Sequence, residues 1–462
     1  MLLTPDPLEP HGIAHFAERL RTGSETMESV TRAYLQRIEA LDGTLHAYAH
    51  VDRDGALQSA RALDALLQSG TDLGPLMGVP VAIKDNIYVQ GMPCRAGSST
   101  DVAARLNYEG PFVARLRQLG CIILGKLHTV EFALGNTGVN LTAETPRNPW
   151  DGARFRLPSG SSSGAGVAMS AGLCGLAIGT DTGGSVRGPA AYCGVFGLKL
   201  SAGAWSMEGV LPVSRTLDSL GLVARSAADA ALAWATIHHA PPVAAREPSQ
   251  IRLGKETEYF YENLDSEVNA AMEWAIESLV GLHTAVIPIS IPGIEQTTDI
   301  YNTISKTELA AYLGQSWIEE NAQLINSDVL ERLRGESSYS KAHYVHCMWR
   351  QQALSARVAN DMGGVDAWIA PSKRNVAPEY FAGQAGEEYL RNLTVYCTGP
   401  TRPANVYTLC ASTQPINWPD AHLPIGLQLL ARSERELLAV ALTMENVFGR
   451  PKAPVLTPFI TF

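Results

Sequence analysis

The sequence predicts an α/β fold, a mixed central β-sheet covered by helices on both faces. Two observations carry that expectation. Segments with apolar residues three and four positions apart, the period of one buried helical face, alternate with short unbroken apolar runs that end at glycine, proline or a single charge. Such runs suit strands buried on both sides, which need helices above and below them.

Taken in order, Ser24 is placed to cap a helix whose apolar positions are Met27, Val30, Tyr34, Ile38 and Leu41. A second helix runs through Ala56, Ala60, Leu63 and Leu67 and stops at Gly70. Gly78 to Lys84 is an apolar run that reads as a buried strand ending on a lysine. Pro111 suits a first helical turn, and that helix leads into another buried strand, Cys121 to Gly125. Residues 164–237 are dense in Gly, Ala and Ser. From about 240 to 365 the chain is richer in long helices, expected near 266–280, 305–325 and 341–362. A strand over Ile425 to Leu430 and a helix through Leu437, Leu438 and Met444 close it. No tandem repeat or linker demands a boundary, so residues 1–462 are expected to form one domain, with about 240–420 its variable, substrate-determining part.

Composition narrows the partners. The 462 residues carry a formal net charge of −10, which opposes a broad basic footprint for nucleic acid or anionic lipid. Neither a secretory leader nor a membrane-spanning apolar stretch is visible, so a cytoplasmic protein with a small-molecule partner is expected, with room for a homodimer. Seven scattered cysteines without a Cys-x-x-Cys pair read as buried small hydrophobes.

Chemistry concentrates in two loops. Pro158 to Gly166 is serine-rich, and after a helix to Gly172 and a strand over Cys174 to Thr180 comes Asp181-Thr-Gly-Gly-Ser-Val-Arg187. In such a turn successive backbone N–H groups can converge on one spot while glycines permit close approach of a ligand, which suits an oxyanion. Ser185 at the end of that nest would be a nucleophile beside its own stabilising donors. Lys84 offers a base, because burial disfavours its ammonium. Bringing a lysine from about 10.4 to near 7 corresponds to about 4 kcal/mol.

Six blocks, in order, resemble the amidase-signature family: Gly78-Val-Pro-Val-Ala-Ile-Lys84-Asp-Asn, Gly125-Lys126 through Glu131-Phe132, Pro146 to Pro149, the serine-rich stretch 159–166, Gly179 to Arg187, and Cys193 to Lys199. Weaker likeness returns at Pro403 to Asn405 and Pro424 to Gln428. The resemblance implies Lys84 as base, Ser161 as a bridging serine on a cis peptide bond, and Ser185 as nucleophile. It implies an oxyanion hole from the N–H groups of Thr182, Gly183, Gly184 and Ser185. Ser162 would hydrogen-bond around Lys84, and Asp181 and Arg187 would hold the loop. Neither a metal nor an organic cofactor is called for. The chain departs from the family at Ser159, Ser163 and Ala165, where glycine, glycine and serine are more usual, and at Leu200 and Leu222, which replace frequent prolines.

The implied activity is hydrolysis of a C–N bond in a small amide, carbamate or urea-like compound. The alternative is the glutaminase subunit of a tRNA-dependent amidotransferase complex. It is disfavoured because Asn326 to Gly335 lacks the basic pair and following run associated with those subunits. Gly160 to Gly164 also satisfies G-x-S-x-G, with Ser162 as nucleophile, but that elbow needs a buried strand before it and Trp150 to Pro158 is charged. His343 and His346, three apart on an expected helix, read as ordinary packing or surface histidines, with no cysteine or carboxylate cluster evident beside them.

Overall fold

The computed structural model describes residues 3–9, 11–335, 339–384 and 386–461. Among them eleven strands form one sheet: β1 (Tyr48–Val51), β2 (Pro80–Lys84), β3 (Ile122–Leu127), β4 (Leu176–Asp181), β5 (Phe196–Lys199), β6 (Ser219–Ala224), β7 (Arg252–Lys255), β8 (Ala285–Pro288), β9 (Ala367–Pro371), β10 (Cys410–Ile416) and β11 (Ile425–Ala431). Their spatial order is β1-β3-β2-β4-β6-β5-β10-β11-β9-β7-β8. The sheet is mixed, as expected: β2 runs parallel to β3 and β4, whereas β6 pairs antiparallel with both β4 and β5. Every residue of β2 and β4 is buried, which is why these segments read as unbroken apolar runs rather than alternating ones.

Two local expectations need correction. The helix expected to be capped by Ser24 spans Met27–Leu45, and its cap is Thr26. Thr26 is extended and accepts from Ser29 N, while the Ser29 hydroxyl accepts from Thr26 N, a reciprocal pair that satisfies two otherwise orphaned donors. Ser24 lies too early to do this, and its hydroxyl bonds the Arg19 carbonyl instead. The helix expected over 305–325 is two helices, Thr297–Leu313 and Gln315–Glu320, separated by Gly314 at φ +79°. The short strands β7 and β8 escape a reading by pattern, since four residues hold little periodicity.

Parallel pairing of β2 with β4 sends their carboxyl ends to the same edge of the sheet, where Lys84 and Asp181 finish their strands. Helix Ser163–Ser170 packs against β2, β3 and β4 and brings the serine-rich loop that precedes it to that edge. Across from it, helices Thr297–Leu313 and Lys341–Asp361 pack together over a second apolar cluster containing Phe260, Ile300, Ile304, Trp368 and Tyr407. All seven cysteines are free and buried. Among the described residues, no helix is long and apolar enough to cross a membrane.

Candidate active site

Lys84 is fully buried at the end of β2, and its ammonium nitrogen lies 2.8 Å from Ser161 Oγ and 2.8 Å from Thr180 Oγ1. Burial lowers its pKa to about 7, against the upward pull of the Asp218 and Asp181 carboxylates. A neutral amine is therefore accessible near neutral pH, hydrogen-bonded to a serine whose proton it can take.

Thr180 fills the place beside the lysine that the sequence reading assigns to Ser162. The Ser162 hydroxyl donates to the Thr180 carbonyl at 3.3 Å, one step from the amine, and Ser162 N donates to the Ser185 carbonyl at 3.0 Å. Ser162 thus ties the two loops together. Asp218 escapes a sequence reading because nothing in its own segment marks it. It accepts from the Thr182 hydroxyl at 2.5 Å and from the Val213 and Ser214 backbone, and burial pushes its carboxyl up to about 6.

The turn after β4 is organised by Asp181. Its carboxylate accepts from Gly184 N at 2.8 Å and Val186 N at 3.1 Å and forms a fully buried ion pair with Arg187, Nη2 to Oδ1 at 2.8 Å. Burial alone would raise the Asp181 carboxyl, but the guanidinium holds it well below the usual carboxylate range. The remaining Arg187 donors reach Thr401 O (2.8 Å), Gln428 Oε1 (2.6 Å) and Asn405 Oδ1 (2.7 Å). The two weakly matching late segments thus converge on one arginine. Arg187→Met would leave the Asp181 carboxylate buried and unpaired, so a loss of about 3–5 kcal/mol is expected, measured as urea unfolding against wild type.

This geometry corrects one expectation. The Gly184 N–H is already committed to Asp181, whereas among the described residues the N–H groups of Thr182, Gly183 and Ser185 have no protein acceptor. Gly184 serves the turn in another way. It adopts φ +124°, and a Cβ there would overlap the Thr401 hydroxyl; a Cβ on Gly183 would overlap the Tyr301 ring.

The Gly160–Ser161 peptide bond is cis. Just before it, Ser159 takes φ +67°, a backbone region that favours the glycine more usual at this position, and its hydroxyl is anchored on Asn136 O at 3.0 Å. Among the described residues no strand immediately precedes Ser162, so a strand-to-helix elbow is absent there. Ser185, in contrast, lines a cavity of about 410 Å³ together with Gly160, Gly183 and Gly184. The rest of the lining comes from Leu134 to Asn136 and from described residues between Tyr301 and Arg402. Of the aromatic residues in the later region, Tyr301 and Tyr339 line this cavity. Tyr344 is hydrogen-bonded to Glu308, and Trp418 lies in a separate surface depression beside Pro424.

His343 departs from its expectation, because Asp299 and Cys347 do lie beside it, at 3.2 Å and 3.6 Å from Nε2. Arg350 also reaches the Asp299 carboxylate at 3.2 Å, so a cation already serves that acid. His346 is exposed and outside the group.

A family model for amidases matches residues 29–438. The chain is 36% identical over 455 residues to the 2-amino-5-chloromuconic acid deaminase of Comamonas testosteroni, covering 96% of this chain and 98% of that one. It is 32% identical over 491 residues to one of the subunits of the glutamyl-tRNA(Gln) amidotransferase of Salinispora arenicola, covering 96% of this chain and 98% of that one. Among solved structures, a crystal structure of an amidase superposes with a TM-score of 0.86 at 29% identity, covering 95% of this chain and all of the other.

Proposed function

The chain belongs to the amidase family of C–N bond hydrolases, and from that premise we propose that it cleaves a small amide, carbamate or urea-like compound through an acyl-enzyme on Ser185. The observation that carries the reading is the buried contact of Lys84 with Ser161 at 2.8 Å, in a setting that lowers the lysine to about 7. Neutral Lys84 accepts the Ser161 proton as Ser161 accepts that of Ser185, and the freed oxygen attacks the substrate carbonyl carbon. The oxyanion that forms is met by unclaimed N–H groups of the Thr182 to Ser185 turn, Gly184 excepted. As the intermediate collapses, the C–N bond breaks and the proton returns through Ser161 to the departing nitrogen. Water then loses a proton along the same route, attacks the ester carbonyl and releases the acid, restoring Ser185.

Asp181 and Arg187 keep the turn in shape, and Ser162 and Thr180 support the lysine and the loop contact. Residues 1–462 act as one unit in this reading, with substrate choice set by about 240–420, the region that supplies much of the cavity wall.

A glutaminase subunit of a tRNA-dependent amidotransferase is the competing reading, favoured by the Salinispora relative's near-complete coverage. The higher identity to a deaminase named for a small amino acid-like compound favours a small-molecule substrate. Purified protein should release ammonia or amine from one member of a panel of aliphatic amides, anilides, carbamates and ureas with no partner added. Ammonia released from glutamine alone, and only with partner proteins present, would sink the proposal.

A further inference from the structure

The protein is acidic overall, with a formal net charge of −10, yet the cavity at Ser185 is not. Among the described residues, Lys306, Arg332, Lys373, Arg391 and Arg402 line it, opposed by the carboxylates of Asp328 and Glu331. Some of this positive charge is already engaged. Arg332 pairs with Asp328 at 2.6 Å, and Lys373 donates to the Cys397 carbonyl at 2.7 Å. Arg402 is different. Among the described residues its guanidinium has no carboxylate or carbonyl partner, and it lies over the Tyr301 ring, 4.8 Å from the centroid.

That stack touches the nucleophile's own turn. The Tyr301 ring lies against Gly183, and Thr401, the neighbour of Arg402, donates through its hydroxyl to Gly183 O at 2.6 Å. The guanidinium is therefore held about one aromatic ring away from the turn that carries Ser185. Lys306 lies close enough to Arg332 and Arg402 for each to repel its charge and add to the effect of burial in lowering its pKa, with the Asp328 carboxylate pulling the other way. A bound anion would relieve that repulsion, and a planar guanidinium with free edges matches a carboxylate in two parallel hydrogen bonds.

We infer that Arg402, with Lys306 beside it, is a carboxylate-recognition site, and that the substrate is a small acid amide carrying a free carboxylate a few bonds from the scissile carbonyl. This rests on the hydrolase reading above, but it is tested separately. A cavity of about 410 Å³ accommodates a four- to six-carbon chain of this kind.

The test compares glutaramate with butyramide, which differ by the carboxylate. In the wild-type protein kcat/KM for glutaramate should exceed that for butyramide by about 10- to 100-fold, the range of a charge-assisted hydrogen bond. Arg402→Gln should bring this ratio toward one, chiefly through KM for glutaramate, and Arg402→Lys should restore part of it. Equal turnover of the two amides by wild type, or a ratio that survives Arg402→Gln, would overturn the inference. Glutarate binding, measured by calorimetry, gives a readout independent of chemistry. Wild type should bind it at least ten times more tightly than Arg402→Gln, or than Lys306→Gln should the first variant not fold, and absence of binding to wild type refutes the site. Glutaramate hydrolysis that persists in Ser185→Ala would instead defeat the hydrolase mechanism, leaving the glutarate result to stand by itself.

Discussion

Ser185→Ala should lose essentially all turnover, a fall on the order of 10⁴–10⁶ in kcat, and all covalent labelling by a fluorophosphonate probe. The size follows from the proposed role: in that mechanism the hydroxyl oxygen bonds to the acyl carbon, and neither Ser161 nor Ser162 is placed to substitute. Ser161 is 1% exposed with its oxygen on Lys84, and Ser162 is fully buried with its hydroxyl on the Thr180 carbonyl. Ser185 alone of the three lines the cavity. Peptide mapping of the labelled protein makes the test sharp. Label found on Ser162, or full labelling of the alanine variant, would return the nucleophile to the G-x-S-x-G reading.

The second large effect is expected at Lys84. Replacing it by methionine preserves much of the volume but removes the proton acceptor, and turnover at neutral pH should fall by about 10²–10⁴ or more. The wild-type pH profile should carry the lysine's signature. With its pKa lowered to about 7, the amine is protonated below that value and cannot accept from Ser161, so kcat/KM should drop tenfold for each pH step down and level off above neutrality. In Lys84→Met the residual rate should lose this limb. Stability separates this from simple damage, because removing an amine that burial disfavours in its charged form should leave the unfolding midpoint at or above that of wild type. A variant that is inactive and also melts far below wild type would argue for a structural lysine. Ser161→Ala should remain folded and be slower than wild type, since it would break the proposed relay in its middle.

Much of this centre is legible in the sequence. The run Val79 to Ile83 has no polar residue, so a buried strand is the available reading, and a lysine at its end has to be buried or turned outward. The Asp181 to Ser185 turn announces close backbone approach through its two adjacent glycines. What cannot be read is the allocation of individual donors. Gly184 N is as available as Gly183 N on paper; the Asp181 carboxylate takes one and not the other because of where the turn bends. Thr180 alternates with its neighbours along β4, and only parallel pairing of β2 with β4 brings its hydroxyl to Lys84. Asp218 sits 36 residues from Thr182 and reaches it because β6 lies beside β4.

By itself the sequence determined the class of fold and the family blocks, because these rest on local composition and short-range spacing. The tertiary structure decided which groups meet. Arg187 gathers side chains from residues 405 and 428, more than two hundred positions away, and Tyr301 and Arg402 reach Gly183 and its cavity from helices whose sequence carries no mark of it. The reason is physical: a buried strand or a glycine turn is selected by its own residues, whereas the charge of a cavity is the sum of side chains delivered by distant segments, and that sum exists only once they pack.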